Sequence, residues 1–289
     1  MYNMVYRCLL YGLLVFIMIK WFRFVRTAAP FLCIISISCQ DQISALPVNL
    51  IVWIHGTAAN CFLPNKLTGK IRGKVEIIHF DALHQDSDAK KKAVALQHGD
   101  DICFNTSNFY RCNWSGFLDY KEREYVAEKL YDFLVDKVNE ITADTGKRPS
   151  ISIITHSHGG NIALTLAKYN NKHGGDDLVV DRLILMACPV QKRTADFANH
   201  QTFKKIYAFY SPFDPIQLCA MQGFLAFSGR KFAPGPNIVQ IRTYWNHIGL
   251  WHNQFNSIWF ARLLPALITK TDSGGLDVGE RIGEYILRL

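Results

Sequence analysis

Ile153-Ile154-Thr155-His156-Ser157-His158-Gly159-Gly160-Asn161-Ile162-Ala163-Leu164 is the stretch whose reading decides the fold. A β-branched run enters it, a helix-forming run leaves it, and a serine stands on the joint. A serine there projects its hydroxyl above a sheet only if the chain turns sharply, through a strained backbone conformation. The residues two before and two after must then be small, because strand and helix nearly collide. Gly159 meets that need, and Thr155 is a small β-branched residue whose methyl must turn into the strand packing. An ordinary helix cap needs neither a histidine on each side of the serine nor a glycine pair opening the helix.

Working outward, the body alternates strands and helices, the pattern of a mostly parallel sheet covered on both faces. Strands are expected at Val48–Ile54, Val75–Phe80, Ile151–Ile154, Leu183–Cys188, Ile206–Tyr210 and, last, Val239–Trp245. Residues 82–113 read as an irregular loop, with the charge run Asp86–Lys92 solvated. From Asp119 to Thr145, apolar residues Val126, Leu130, Leu134 and Val138 recur every four positions, with Ala127, Phe133 and Ile141 widening the stripe. That spacing predicts an amphipathic helix, opened by an Asp119/Glu122 capping box and ended by Gly146 and Pro149. Further helices are expected over about 159–170 and over Phe255–Ile268, and 218–235 reads as a Phe- and Gly-rich loop.

The 153–164 string resembles the nucleophile elbow of the α/β-hydrolase superfamily, with Thr155 where the usual pattern has glycine. The resemblance implies an α/β-hydrolase fold and a serine hydrolase that needs no cofactor. It also implies a chain order of serine, acid, histidine, each partner in a loop after a later strand. Asp214 fits the acid, after Ile206–Tyr210 and between Pro212 and Pro215. The base follows Val239–Trp245, where two histidines stand. His252 is the expected base, reached by a Gly-containing turn and placed before the closing helix. His247, two residues past Trp245, is the alternative. The oxyanion donors are expected at the backbone N–H groups of His158, after the nucleophile, and Thr57, in the His55-Gly56 loop after the first strand.

Asn113-Trp114-Ser115-Gly116, followed by Arg123 on the next helix, resembles lipase-like enzymes that process lipids and lipid anchors. That resemblance implies a small-molecule or lipid ester substrate. The same triad also serves thioester or amide cleavage, and a hydrolase scaffold can serve as an inactive, membrane-tethered binding protein.

The ends and the composition bound the rest. The chain has 289 residues, 49% hydrophobic, enough for a large core. Its net charge is +8, but Arg7, Lys20, Arg23 and Arg26 supply half of that excess within the first 40 residues, where no acid occurs. The body is therefore only mildly basic, which argues against nucleic acid as a partner. Cys8–Ile19 and Ala28–Ile37 are apolar runs around a basic, Trp-containing stretch. Residues 1–46 are expected to be a membrane or targeting segment, either retained against a membrane surface or cleaved on export. The hydrolase domain is expected over 47–289. No C-x-x-C and no His-Glu-x-x-His occurs, so no metal site is expected. Cys188 reads as a buried thiol, and Cys103 and Cys112 as a pair that could form a disulfide in an exported body.

Overall fold

The computed structural model describes residues 47–57, 74–175, 177–217, 229–245, 248–278 and 284–289. The apolar 1–46 segment, His247 and 218–228 of the Phe-rich stretch lie outside the described residues.

The strands are β1 (Asn49–Ile54), β2 (Glu76–His79), β3 (Phe109–Asn113), β4 (Ser150–His156), β5 (Arg182–Met186), β6 (Ile206–Tyr210), β7 (Ile238–Trp245), β8 (Ile248–Gly249), β9 (Asp277–Val278) and β10 (Glu284–Arg288). They form a 10-stranded sheet in the order β2-β3-β1-β4-β5-β6-β7-β10-β9, with β8 paired to β7. From β3 across to β10 every pairing is parallel. The edge strands β2 and β9 and the short β8 are antiparallel. The helices are α1 (Asp88–Gly99), α2 (Tyr120–Thr145), α3 (Gly159–Lys172) and α4 (Ile258–Asp272). The result is a mostly parallel sheet with helices on both faces, the α/β class expected from the sequence.

The sheet is covered twice because its central strands are apolar on both faces. In β1, Leu50, Val52 and Ile54 join a core with Leu130 and Leu134 of α2 and Ile162 and Leu166 of α3. Ile51 and Trp53 face the opposite way, into a core with Ala93 and Leu96 of α1 and Phe260 and Leu264 of α4. Each fully buried Leu or Ile contributes roughly 1.5–3 kcal/mol. One strand thus ties the two layers to a single register.

The structure corrects several sequence expectations. The charge run is not a solvated loop: Ser87 caps α1 through the Lys90 N–H, and Ala89, Lys92, Ala93 and Leu96 are buried. Lys92 lies along the core, with its ammonium 5.2 Å from the centre of the Trp53 ring and donating to Asn256 Oδ1 at 2.9 Å. Residues 109–113 are a strand between β1 and β2, not loop. Cys112 is buried within it, and Cys103 and Cys112 are both free thiols, so the suggested disulfide is absent. β7 is not the last strand, since β10 continues the parallel sheet beside it. The Asp119/Glu122 capping box does not form. Asp119 accepts from the Lys121 N–H, while Glu122 accepts the Ser115 hydroxyl. The closing helix begins later than expected, with Ser257 as its cap and a 3-10 turn, His252–Asn256, before it. Among the described residues no helix is long and apolar enough to cross a membrane.

Burial pushes the Lys92 ammonium down to about 8, against the pull of Asp88. Between that value and the ordinary lysine range, the unfolded chain holds a proton that the folded chain has released. Stability should therefore climb with pH in that window and lack the gain below it. Relative to Lys92→Met, the wild-type chain is expected to gain on the order of 1–3 kcal/mol between pH 7 and pH 10. Urea denaturation of both chains at the two pH values measures it; a pH-independent difference would contradict it.

Candidate active site

Ser157 sits between β4 and α3 with φ 53°, one of two described non-glycine residues with positive φ. Its N–H donates to the Met186 carbonyl at 2.9 Å, which pins the turn to the end of β5. Such a left-handed residue costs about 1–2 kcal/mol. The neighbours hold it there by leaving no space. A methyl group on Gly159 would stand 2.8 Å from the carbonyl oxygens of both Ile54 and His55. One on Gly56 would stand 2.7 Å from Ser157 Cβ and 3.0 Å from the His156 carbonyl oxygen. Thr155, in the usual glycine position, is buried, and its hydroxyl donates to the Ile184 carbonyl at 3.2 Å. Its polar atom is thereby satisfied by the neighbouring strand.

The His-Gly loop is therefore pressed against the serine. One neutral tautomer of His55 explains both of its ring contacts: Nδ1–H donates to the Gly56 carbonyl at 2.7 Å, and Nε2 accepts the Trp114 N–H at 3.3 Å. Trp114 Nε1 donates to the His55 carbonyl at 2.9 Å, and the two rings stack at 5.7 Å. The Trp-Ser-Gly string is thus a brace for this loop. Ser115 extends the brace by donating to buried Glu122 and accepting the Phe117 N–H. Thr57 follows directly, with its hydroxyl oxygen buried and unbonded. His158 caps α3, so its backbone amide lies at the positive end of that helix.

The acid and one base candidate meet. His252 Nδ1 is 2.7 Å from Asp214 Oδ2, although 38 residues separate them. Asp214 is wholly buried, and its other oxygen accepts the N–H groups of Ile216 (2.9 Å) and Gln217 (3.4 Å). Arg230 holds the same loop by donating to the Asp214 carbonyl. With Nδ1–H committed to the carboxylate, His252 keeps a lone pair on Nε2. Its ring lies 4.7 Å from that of His156, the residue before Ser157. His247 lies outside the described residues.

Both flanking histidines are buried and neutral. Burial first, then His252, pushes His156 down to about 3. Burial first, then Arg123 and His252, does the same to His158. Arg123 is buried on α2, where it donates to Gln191 Oε1 at 3.2 Å and lies 5.8 Å from the centre of the Tyr120 ring. No role for His156, Glu122 or Lys92 at the site is legible in the sequence. The first was visible only as a histidine next to the serine, the second only as a failed capping partner. Among the described residues no cluster of histidine, cysteine and carboxylate groups could hold a metal ion.

Solved structures with a similar arrangement include EstE1, a thermophilic and thermostable carboxylesterase from a metagenomic library. It is 12% identical, with 81% of this chain and 82% of that chain covered at a TM-score of 0.42. A hyperthermophilic esterase from the archaeon Pyrobaculum calidifontis is 12% identical, covers 78% of each chain and scores 0.38. An alpha-beta serine hydrolase homologue from Coxiella burnetii is 14% identical, with 78% of this chain and 86% of that chain covered, and scores 0.42. No family model and no curated protein matches the sequence.

The strained turn makes a testable claim about stability. Ser157→Gly and Ser157→Ala both remove the hydroxyl, but only glycine relieves the positive φ. The glycine chain is expected to be more stable than the alanine chain by about 0.5–1.5 kcal/mol. Equal unfolding midpoints for the two would mean that the elbow carries no strain.

Proposed function

We propose that the chain is a serine hydrolase of carboxylic esters, with Ser157 as nucleophile, His252 as base and Asp214 as the acid that orients it. The observation that carries this reading is the 2.7 Å pairing of His252 with a wholly buried Asp214, with the His252 ring 4.7 Å from that of His156, the residue before a serine held in a strained elbow. A buried carboxylate that receives an imidazole N–H fixes the tautomer and steadies the imidazolium that forms during turnover. His252 Nε2 takes the Ser157 proton as Oγ bonds to the ester carbonyl carbon. The tetrahedral oxyanion is met by the backbone N–H groups of Thr57 and His158, the latter at a helix N-terminus. Collapse breaks the ester C–O bond, and the imidazolium gives its proton to the leaving alcohol. Water, deprotonated by the same ring, then cleaves the acyl-enzyme and restores the serine. No step calls for a cofactor.

The surface around the site supports an apolar, lipid-like substrate. Phe213 and Ile216 flank Asp214, and Trp251 precedes His252. Ile258 and Trp259 open α4 just beyond. All five are exposed, Phe213 by 57% and Trp251 by 63%. Residues kept apolar in water around a reaction centre fit a ligand with hydrocarbon to bury. Thioesters and amides would be attacked by the same groups, and acyl preference among them is a matter for substrate profiling. The 1–46 segment, with its apolar runs and four cations, is proposed to bring this domain to a membrane surface or to direct its export.

Ser157→Ala and His252→Ala are each expected to lower turnover of a short-chain ester by about 10³-fold or more, because triad members act as a unit. His247→Ala should stay within roughly tenfold of wild type. Single-turnover acylation rates measure all three, and a dead His247 variant beside an active His252 variant would reverse the base. Wild-type protein that takes up no fluorophosphonate at Ser157 would favour an inactive binding scaffold instead.

A chain lacking residues 1–46 is expected to leave the membrane fraction, whereas the full chain stays there after a high-salt wash. Fractionation with an antibody to the body reads the result. Equal retention of both chains would place the membrane contact in the body.

A further inference from the structure

The residue immediately before the nucleophile has a job that its position alone does not require. His156 is the last residue of β4, buried, and its ring N–H at Nε2 donates to the backbone carbonyl of His252 at 3.0 Å. The two imidazole rings lie 4.7 Å apart, tilted by 52°. On its other side, Nδ1 of His156 would stand 3.1 Å from a methyl group on Gly56, so the ring is wedged between the oxyanion loop and the base.

The base needs such a hold. His252 opens a short 3-10 turn in the segment between β8 and α4. Its Nδ1 is tethered to Asp214, which itself stands on a loop. A side-chain tether leaves the main chain of the turn free to shift, and a displacement of 1 Å at a reacting group can cost about 10²-fold in rate. Lys92 holds the far end of the same turn through Asn256. The hydrogen bond from His156 differs in its origin, because it comes from the strand that carries Ser157. It refers the base directly to the nucleophile.

We infer that His156 is a positioning residue: its ring N–H fixes the main chain of His252 relative to Ser157, so that strand β4 carries the nucleophile and also sets the place of the base. The inference rests on the triad reading above. Because the acceptor is a carbonyl oxygen, the contact works only with a donor at Nε2. Burial keeps the ring neutral, pushed down to about 3, so no second cation forms beside the imidazolium during turnover. The role is therefore constant across the working pH range.

The test separates the N–H from the bulk of the ring. His156→Phe keeps a flat ring against His252 and deletes the donor; His156→Gln deletes the ring and keeps an N–H at similar reach. The Phe chain is expected to lose about 10- to 100-fold in kcat on a short-chain nitrophenyl ester, with KM within about twofold of wild type. Its rate of fluorophosphonate labelling at Ser157 should fall in parallel, and the Gln chain should recover most of both. In a His252→Ala background the Phe substitution should change the residual rate by less than about twofold, since the residue acts through His252. If the Phe chain does not fold, His156→Asn, whose amide falls short of the carbonyl, takes its place. A donor-free chain with at least half the wild-type kcat, or an equal loss in the Gln chain, would overturn the inference. Wild-type protein that resists the probe would overturn the triad reading itself, which is a separate result.

Discussion

The site depends on a steric constraint: three backbones meet at Ser157 with no room for a side chain between them. The end of β1 lies so close to the start of α3 that a methyl group at Gly159 would run into two of its carbonyl oxygens. Gly56 touches the serine itself. Backbone atoms cannot move aside as flexible side chains can, so the approach sets the angle at which α3 leaves the sheet. It also sets where the backbone amides of Thr57 and His158 stand. The strain in the Ser157 backbone follows from the same contact. Ala187, at the end of the adjacent β5, has φ 52°, so the positive-φ conformation occurs twice, side by side.

Around this meeting point the supports form a chain of contacts rather than a ring of independent ones. Glu122 holds Ser115, Trp114 next to it holds His55, and His55 holds Gly56. On the opposite side, Gln217 accepts the Ser211 N–H and donates to the Cys188 carbonyl, which ties the acid loop to the end of β5. Most of these polar groups are buried, and each is bonded to the next, while the second carboxylate oxygen of Glu122 has no hydrogen-bond partner among the described residues. In a low-dielectric interior such a network holds side chains in single orientations, and a single unpaired member costs about 1–3 kcal/mol. The positions of Ser157, Asp214 and His252 are therefore set by residues drawn from most of the length of the body.

The parts of this arrangement that are legible in the sequence are those whose chemistry demands particular residue types in a short string. The elbow, the His-Gly loop, the aspartate after β6 and His252 after β7 all satisfy that condition. Helix α1 does not, because its buried face is built from three alanines, the stem of Lys92 and a single leucine, Leu96, so its charges read as a solvated run. Strand β3 mixes buried Phe109, Tyr110 and Cys112 with Arg111 and Asn113 in a run of only five residues, and it is held as a strand by pairing with both β1 and β2. Strand β10 likewise owes its existence to an open edge on β7. The contact of His156 was illegible for a different reason: its partner is a backbone carbonyl 96 residues away, and a carbonyl leaves no mark in a sequence.

The buried thiols give this architecture a built-in clock. Burial raises Cys112 and Cys188 to about 12, so almost no thiolate is available for alkylation while the chain is folded. Cys188 lies directly against Gly160 at the start of α3, whereas Cys112 lies in β3, near the edge of the sheet. The rate at which each sulfur reacts with an alkylating reagent then follows the opening of its own region, and equals the opening rate when the reagent is concentrated enough to outpace reclosing. Two cysteines in one chain can thus time the breathing of the elbow separately from the fraying of the sheet edge.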